Sequence, residues 1–236
     1  MSEPLLSVHD LRHGYGGKPV LQGVDLEVQA GEIVAVIGRN GVGKTTLMRS
    51  LIGLLPSPSG SIRFRGQPVE RLSAFRRARL GLGYVPQGRD VFPRMSVEEN
   101  LSVGRATGRG AEFSDFELVY ASFPILHERR RQPAGTLSGG QQQQLAIGRV
   151  LIGRPDLMLL DEPSEGIQPS IVQDIARIGT ALNRSQGLTI VLVEQNIDMI
   201  RAMAQRCYVM DKGRLIATLT PAMLEDRDLV RRYLAV

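Results

Sequence analysis

The sequence predicts an α/β fold in which a glycine-rich loop joins a buried strand to a helix. The apolar run 33–37 leads into a glycine-rich segment, and a helical pattern follows over residues 46–55. Residues 157–160 are apolar on both faces, as in a central strand of a parallel sheet. Residues 20–28 instead alternate apolar and polar side chains, which predicts a half-exposed antiparallel sheet.

The glycine-rich segment fits a phosphate-binding loop. It reads, in order, Gly38, Arg39, Asn40, Gly41, Val42, Gly43, Lys44, Thr45 and Thr46. Its glycines allow successive N–H groups to point into one concavity, and the following helix N-terminus adds partial positive charge. Lys44 would reach the outer phosphates of a nucleotide, and the Thr45 hydroxyl would bind Mg²⁺. The alternative is a surface turn with a solvated lysine, but this chain has three lysines and keeps one here, where arginine is not equivalent.

Composition favours an ordinary globular protein. Of 236 residues, 42% are hydrophobic and 22% are charged. No run approaches the roughly 18 apolar residues of a membrane span, and the N-terminus lacks a signal-peptide pattern. The one cysteine, Cys207, excludes an internal disulfide framework and fits the cytosol.

The net charge of +5 raises the question of an anionic partner. The arginine clusters at 76–79 and 129–131 are expected on solvated faces, and no nucleic-acid motif accompanies them. We therefore expect no nucleic-acid partner, whereas an anionic lipid surface fits the charge at least as well.

Local patterns predict the elements around the phosphate loop. Residues 7–11 and 20–28 form two strands around a turn that contains Tyr15, which is either a loop aromatic or a platform for a nucleobase. The next elements are a helix break at 56–60, a strand at 61–64, a short helix opened by Ser73, and a strand at 83–86 just before Gln87.

Residues 88–150 are expected to form a helical sub-domain inserted in the α/β core. Ser96 and Glu99 make a capping box, and the pattern stays helical to about residue 131, with a break at Gly108 and Gly110. A further helix, reaching residue 151, opens within the segment Leu137, Ser138, Gly139, Gly140 and Gln141. Two glycines in a first turn weaken a helix by roughly 1 kcal/mol each relative to alanine. A second anion bound at this helix N-terminus would make such bare backbone useful.

Two adjacent carboxylates, Asp161 and Glu162, end the buried strand 157–160. Doubly wound sheets bind ligands at this end of their strands. Asp161 is the candidate Mg²⁺ partner of Thr45, and Glu162 is the candidate base for a water molecule. The alternative is that both residues only cap the next helix.

The last part of the chain is predicted to hold two helices and three strands. They are a helix at 169–182, an apolar strand at 188–193, a strand pair at 206–210 and 214–219, and a short basic helix at 226–234. The strand 188–193 ends in the polar residues Glu194, Gln195 and Asn196.

The order of these motifs resembles the ATP-binding-cassette ATPase family over essentially the whole chain. The resemblance implies a P-loop ATPase core with an antiparallel β sub-domain and an inserted helical sub-domain, forming a single domain over residues 1–236. It also implies ATP and Mg²⁺ as cofactors.

The resemblance assigns roles to the motif residues. Tyr15 would stack on adenine, Gln87 would sense Mg²⁺ and the attacking water, Asp161 would hold the metal through water, and Glu162 would be the general base. Within the signature segment Leu137 to Gln141, three residues would contact the nucleotide held by the opposite subunit, namely Ser138, Gly139 and Gly140. Two ATP molecules would then lie between two cassettes arranged head to tail.

One position departs from the family pattern. The family usually has a histidine after the last catalytic strand, where this chain has Gln195 and no histidine nearby. A glutamine can hydrogen-bond the γ-phosphate but carries no charge, so we expect this site to be the weaker of two unlike sites. This predicts a second, non-identical cassette as partner, with a homodimer as the alternative.

Among cassettes, the chain resembles the smaller ATPase subunits of importers for branched-chain amino acids and for urea and short-chain amides. The likeness rests on residues 38–44, 92–101 and 193–196, and residues 141–144 and 161–169 look closer to the urea and amide side. The resemblance implies two membrane permease subunits, an indirect periplasmic or extracellular solute-binding protein, and a peripheral position on the cytoplasmic face of the plasma (inner) membrane. The sequence does not reveal the solute, because an ATPase subunit of such an importer does not contact it.

The alternatives are a non-transport cassette ATPase in DNA repair or translation, a small-molecule kinase or GTPase, and a nucleotide-binding scaffold. Repair cassettes need a long coiled coil, and residues 60–136 show no sustained heptads. Translation factors of this type carry two cassettes, whereas this sequence shows one. A kinase or GTPase would not account for the segment 137–141. The candidate base Glu162 argues against a scaffold without turnover.

A loop-like stretch also holds an apolar cluster, formed by Val91, Phe92, Pro93 and Met95. It is predicted either to form a docking groove for a permease helix or to cap the core of the helical sub-domain.

Overall fold

Strands and helices alternate along the chain. The computed structural model describes residues 3–55, 59–107 and 114–226, with Asp228 and Arg231. The strands are β1 (Leu6–Tyr15), β2 (Lys18–Val28), β3 (Ile33–Ile37), β4 (Ser59–Phe64), β5 (Gln67–Pro68), β6 (Leu82–Val85), β7 (Leu157–Asp161), β8 (Thr189–Val193), β9 (Arg206–Asp211) and β10 (Arg214–Leu219). The α-helices are α1 (Lys44–Ile52), α2 (Ala74–Leu80), α3 (Val97–Val103), α4 (Ser114–Ser122), α5 (Pro124–Glu128), α6 (Gly139–Ile152), α7 (Pro169–Gln186) and α8 (Ile197–Met203). Short 3-10 helices cover Gly104–Thr107, Ala134–Thr136 and Pro221–Glu225.

A six-stranded sheet in the order β10-β9-β3-β8-β7-β6 forms the centre of the fold. Its neighbours pair in parallel, except that β10 runs antiparallel to β9. Every residue of β3, β7 and β8 is buried, which confirms the central parallel strand predicted at residues 157–160. Val193 pairs with both Val36 and Asp161, so the carboxyl ends of these three strands reach the same edge.

A second, antiparallel sheet in the order β2-β1-β4-β5 packs on one face of the central sheet. Val24, Leu26 and Val28 are buried while the residues between them are exposed, as the alternation predicted. The apolar face of this sheet joins α1 and one face of β3, β7 and β8 in a common core.

The helices between β6 and β7 share a second core on the opposite face of the central sheet. Leu101 of α3, Val119 of α4 and Leu126 of α5 crowd around Gly148 of α6, where a larger side chain would clash with Val119. Both helix starts are fixed by capping boxes, Ser96 with Glu99 at α3 and Ser138 with Gln141 at α6. The chain therefore folds as α/β, with an antiparallel sheet and a block of helices, as predicted.

Several predicted boundaries shift. Helix α1 begins at Lys44 and stops at Ile52, because Gly53 adopts the left-handed conformation (φ 83°) that ends a helix. Helix α7 continues to Gln186, and α8 was not predicted. Of the predicted break at 56–60, residues 59 and 60 belong to β4, and residues 56–58 lie outside the described residues. The predicted break at Gly108 and Gly110 and most of the predicted helix 226–234 also lie outside them.

The expectation that the arginines at 76–79 are solvated is wrong for Arg77. Its side chain is 1% exposed, although its neighbours in the cluster are exposed. The guanidinium donates to four backbone carbonyl oxygens, those of Ser50 (2.7 Å), Leu51 (2.7 Å), Glu70 (2.9 Å) and Leu72 (3.1 Å). Ser50 and Leu51 lie in the last turn of α1, where intrahelical donors run out, although Ser50 O also accepts from Gly53 N (3.2 Å). Arg77 therefore caps α1 from the neighbouring helix α2.

Candidate functional site

The loops after β3, β6 and β7 meet in one cavity at the carboxyl edge of the central sheet. The cavity has a volume of about 330 Å³. It is lined by Val20, Asn40, Gly41, Gly43, Lys44, Thr45, Thr46, Gln87, Glu162 and Glu165. Strand order, rather than closeness in sequence, brings these residues together.

Backbone contacts seat the phosphate loop on the hairpin formed by β9 and β10. A Cβ atom on Gly38 would collide with the carbonyl oxygen of Met210, so this close approach requires glycine. The carbonyl of Val42 accepts a hydrogen bond from Gly213 N (2.9 Å). Gly43, with φ 113°, then turns the chain into α1. Backbone contacts thus fix the shape of the loop, which leads directly into the N-terminus of α1, a site that favours anions.

Lys44 lies at the base of the cavity and is only 4% exposed. Its Nζ donates to the carbonyl oxygens of Gly38 (2.8 Å) and Arg39 (2.9 Å) and lies 3.6 Å from Oε1 of Glu162. Burial lowers the pKa of Lys44, and the nearby Glu162 carboxylate opposes that change. The loop therefore holds its own cation at the place where an anion would enter.

Asp161 is fully buried beside the phosphate loop. Its Oδ1 accepts a hydrogen bond from the hydroxyl of Thr45 (3.2 Å), and its Oδ2 accepts one from the hydroxyl of Tyr84 (3.1 Å). Burial raises the pKa of Asp161, and the two hydroxyl donors oppose that change by stabilising the carboxylate. Asp161 and Thr45 are therefore adjacent, as the sequence predicted.

Glu162 has a left-handed backbone (φ 48°), which is unusual for a non-glycine residue, and its N–H donates to Val193 O (2.8 Å). Two side-chain amides meet its carboxylate, from Gln195 to Oε1 (3.0 Å) and from Gln87 to Oε2 (3.3 Å). The amide of Gln195 also donates to Oδ1 of Asn40 in the phosphate loop (2.6 Å). The candidate base is thus connected to both predicted polar sensors.

Two carboxylates near this site were missed by sequence reasoning. Glu165 lines the cavity and accepts a hydrogen bond from Gln87 Nε2 (2.9 Å). Glu194 is 3% exposed and accepts backbone N–H groups from Ser164 (3.1 Å), Gln195 (2.7 Å) and Asn196 (3.0 Å). A glutamate at the end of an apolar strand was the only available signal for Glu194.

Tyr15 and the signature segment 137–141 lie outside this cavity. Tyr15 is 48% exposed at the end of β1, where its ring meets His13 edge to face at 5.1 Å. Ser138 caps α6, Gly140 packs against Ile171, and Gly139 faces the guanidinium of Arg89. The structure thus brings together the phosphate loop, Gln87, Asp161, Glu162 and Gln195. It does not bring Tyr15 or the signature segment into this cavity.

Comparison with known proteins identifies the chain. Residues 21–165 match the family model described as ABC transporter. The chain belongs to the ABC transporter family. As an ATP-binding cassette of this family, it is an ATPase. Within the described part of the chain, no helix is long and apolar enough to cross a membrane.

Two curated relatives match this cassette along nearly its whole length. The high-affinity branched-chain amino acid transport ATP-binding protein BraG of Pseudomonas aeruginosa is 43% identical over 96% of this chain and 97% of its own. The lipopolysaccharide export system ATP-binding protein LptB of Escherichia coli is 35% identical over 97% of this chain and 96% of its own.

A solved structure confirms the cassette fold. The crystal structure of a nucleotide-free ATP-binding cassette from an ABC transporter superposes with a TM-score of 0.84 at 25% identity. It covers 97% of this chain and 98% of that one.

Proposed function

We propose that this cassette hydrolyses MgATP to drive uptake of branched-chain amino acids, or of urea and short-chain amides, across the plasma membrane. The observation that carries the proposal is the convergence of Lys44 and Glu162, 3.6 Å apart, in the phosphate-loop cavity. The 43% identity to BraG supports an importer of branched-chain amino acids. The family match does not favour a role in DNA repair or translation.

The phosphate loop would bind ATP through its backbone. Asn40, Gly41 and residues 43–46 line the cavity at the N-terminus of α1, where unpaired backbone N–H groups and the helix dipole favour phosphate oxygens. Lys44 would exchange its carbonyl contacts at Gly38 and Arg39 for phosphate oxygens. Tyr15 is exposed at the end of β1, which pairs with β2, the strand that contributes Val20 to the cavity lining. Its ring would stack on the adenine.

The donor set fits Mg²⁺. Among the described residues, no three His, Cys, Asp or Glu side chains could hold a metal ion by themselves. Mg²⁺ in nucleotide sites typically takes one or two protein oxygens and fills its shell with phosphate and water oxygens. The Thr45 hydroxyl and the Asp161 carboxylate supply such oxygens, with Gln87 as a third candidate. When bound, Mg²⁺ would neutralise charge on the transferring phosphoryl group.

Glu162 would accept the proton of the attacking water. Its carboxylate lies in the cavity and is already oriented by the amides of Gln87 and Gln195. Gln195 joins this carboxylate to Asn40 of the phosphate loop, so it can align the water and the γ-phosphate with a single side chain. As a neutral donor it would stabilise transition-state charge less than a cation.

The signature segment would act on a second nucleotide. Ser138 is exposed at the N-terminus of α6, outside the cavity that holds Lys44, and would meet the phosphates of a partner. We infer that residues 1–236 form one cassette, with residues 88–150 as its helical sub-domain. The partner would be a second, non-identical cassette that supplies the stronger catalytic site.

An exposed apolar surface supports docking of the two permease subunits. Leu54, Phe75 and Val103, which are 56%, 54% and 39% exposed, line a groove of about 300 Å³. Arg149 lines the same groove and holds its guanidinium 5.2 Å from the ring of Phe92, which is 44% exposed. Val91, in contrast, packs against the core formed by the helices, as the second prediction for residues 91–95 requires. The exposed Phe92 fits the first prediction, a docking surface.

An apolar helix of a permease, carrying an acidic or polar residue for Arg149, would fit this groove. Such docking would hold the cassette peripherally on the cytoplasmic face of the plasma membrane. A solute-binding protein on the opposite face would act only through the permeases.

Deletion of the encoding gene, with uptake of labelled leucine, urea and acetamide as the readout, tests this function. We expect one solute class to lose uptake and to regain it with the wild-type gene but not with Glu162→Gln. A pull-down of the tagged chain from membranes should recover integral permeases. Unchanged uptake of all three solutes, with recovery of lipopolysaccharide-export proteins, would contradict the importer proposal.

A further inference from the structure

The buried carboxylate of Asp161 depends on a residue that the sequence did not suggest. Its side chain is 0% exposed, and each oxygen accepts one hydroxyl, from Thr45 at Oδ1 and from Tyr84 at Oδ2. A carboxylate without water around it is costly unless its oxygens are hydrogen-bonded. Tyr84 lies on β6, where it pairs with Leu159, so the adjacent strand supplies this donor.

The direction of the Tyr84 bond is fixed by chemistry. An ionised carboxylate only accepts hydrogen bonds, so the Tyr84 hydroxyl is the donor to Oδ2 of Asp161 (3.1 Å). With Oδ2 fixed in this way, Oδ1 is the oxygen that faces Thr45 and the phosphate loop. Residues that orient a metal-binding carboxylate through its other oxygen set metal affinity without touching the metal.

Tyr84 also reaches the surface. It lines the groove that carries Leu54, Phe75 and Val103. A single side chain therefore borders the apolar groove and holds the buried carboxylate at the end of the neighbouring strand. Whatever fills the groove packs beside the residue that orients Asp161.

We propose that Tyr84 is a positioning residue that orients Asp161 for Mg²⁺ and links groove occupancy to metal affinity. The inference rests on the proposed metal role of Asp161. In this proposal, a permease seated in the groove changes the affinity for Mg²⁺. Because linkage is reciprocal, Mg²⁺ with nucleotide then changes the affinity for the permease by the same factor.

The first test measures binding rather than turnover. Calorimetric binding of the non-hydrolysable analogue adenylyl imidodiphosphate to the full chain is followed as Mg²⁺ increases, and again in EDTA. Tyr84→Phe removes one hydroxyl and should raise the Mg²⁺ concentration at half-effect about tenfold, while binding in EDTA stays unchanged. Tyr208→Phe is the matched control, since its hydroxyl is also hydrogen-bonded (to Arg206, 2.6 Å) but lies away from the cavity lining.

Asp161→Asn separates failure of this inference from failure of the proposed function. If Asp161→Asn shifts the Mg²⁺ midpoint and Tyr84→Phe does not, the positioning role is overturned and the metal role of Asp161 stands. If Asp161→Asn leaves the midpoint unchanged, the metal role is overturned, and the inference falls with it.

The second test measures the link to the groove. The Mg²⁺ midpoint of the chain purified with its permeases is compared with that of the chain alone. The two midpoints should differ in the wild type and should come within about twofold of each other in Tyr84→Phe. An equal difference in both proteins, or no difference in the wild type, would overturn the link.

Discussion

Nε2 of Gln195 lies 3.0 Å from Oε1 of Glu162 and donates a hydrogen bond to it. The same nitrogen lies 2.6 Å from Oδ1 of Asn40, so one amide joins the candidate base to the phosphate loop. A histidine could hold similar geometry and also carry a positive charge, whereas glutamine holds the geometry alone.

Replacement of the candidate base should separate binding from hydrolysis. In Glu162→Gln, ATP binding should persist and turnover should fall at least about a hundredfold, because the water loses its proton acceptor. The measurement is steady-state phosphate release together with ATP binding. Glu165→Gln is the matched control, since Glu165 also lines the cavity and binds Gln87. An equal loss in both variants would contradict the assignment of Glu162.

The neutral switch residue should make the working ATPase a heterodimer. The purified chain alone should hydrolyse ATP slowly, and adding its partner cassette should raise turnover cooperatively. Gln195→His should gain turnover only in the mixed complex, where it adds a cation at the γ-phosphate. Full, cooperative turnover by the chain alone would favour the homodimer instead.

A charge on the apolar surface should block docking. Phe92→Asp should abolish co-purification with integral membrane subunits, because a carboxylate would have to be desolvated in the contact. Its backbone is anchored by Asn100, with 2.8 Å and 3.0 Å hydrogen bonds, so the variant should remain folded by circular dichroism. Ile216→Asp is the control, since Ile216 is 51% exposed on β10 and outside the groove, whereas Phe92 stacks on the groove residue Arg149. An unfolded Phe92 variant would mean that the ring serves the core.

Removal of the buried guanidinium should destabilise the fold. Arg77→Ala should lower the free energy of unfolding by about 3 kcal/mol, since four carbonyl oxygens lose a charged donor. Arg76→Ala, at an exposed position of the same helix, should change it by less than about 0.5 kcal/mol. Urea unfolding measures both values. Similar stabilities for the two variants would show that the carbonyls find other donors.

The single thiol should report unfolding. Burial raises the pKa of Cys207 to about 12, whereas an unfolded thiol titrates at about 8.5. Iodoacetamide at pH 9 should therefore label the chain in denaturant and leave the native chain unlabelled for hours. The folded thiol keeps its proton where the unfolded thiol ionises, so this group favours folding below about pH 8.5 and loses that effect as pH rises toward 12. Rapid labelling of the native chain would contradict the burial of Cys207.

Local signals in the sequence predicted the phosphate loop, the buried strand before Asp161, and both helix starts at Ser96 and Ser138. Each of these features depends on residues close together in the chain, such as a cap and its third neighbour. The period of Met199, Ile200 and Met203 after Asn196, an N-cap, could have predicted α8 as well.

Features that depend on strand order or on backbone acceptors in distant segments could not be predicted from short stretches of the sequence. The burial of Arg77 depends on carbonyls in two other segments, and a run of arginines usually indicates a solvated face. The meeting of Gln87, Glu162 and Gln195 required the pairing order of β6, β7 and β8. The hydrogen bond from Glu162 N to Val193 O likewise depends on β8 lying beside β7.

The seat of the phosphate loop has a consequence for biosynthesis. Strand β3 emerges early from the ribosome, but Val34 pairs with Val191 and Arg206, and Val42 is held by Gly213. The nascent chain therefore cannot complete this pocket until Gly213 has been translated, and we expect the apolar β3 to lack its sheet neighbours in the meantime. We therefore expect a nascent chain that ends before Gly213 to bind ATP poorly and to expose β3 to aggregation until its partner strands are made.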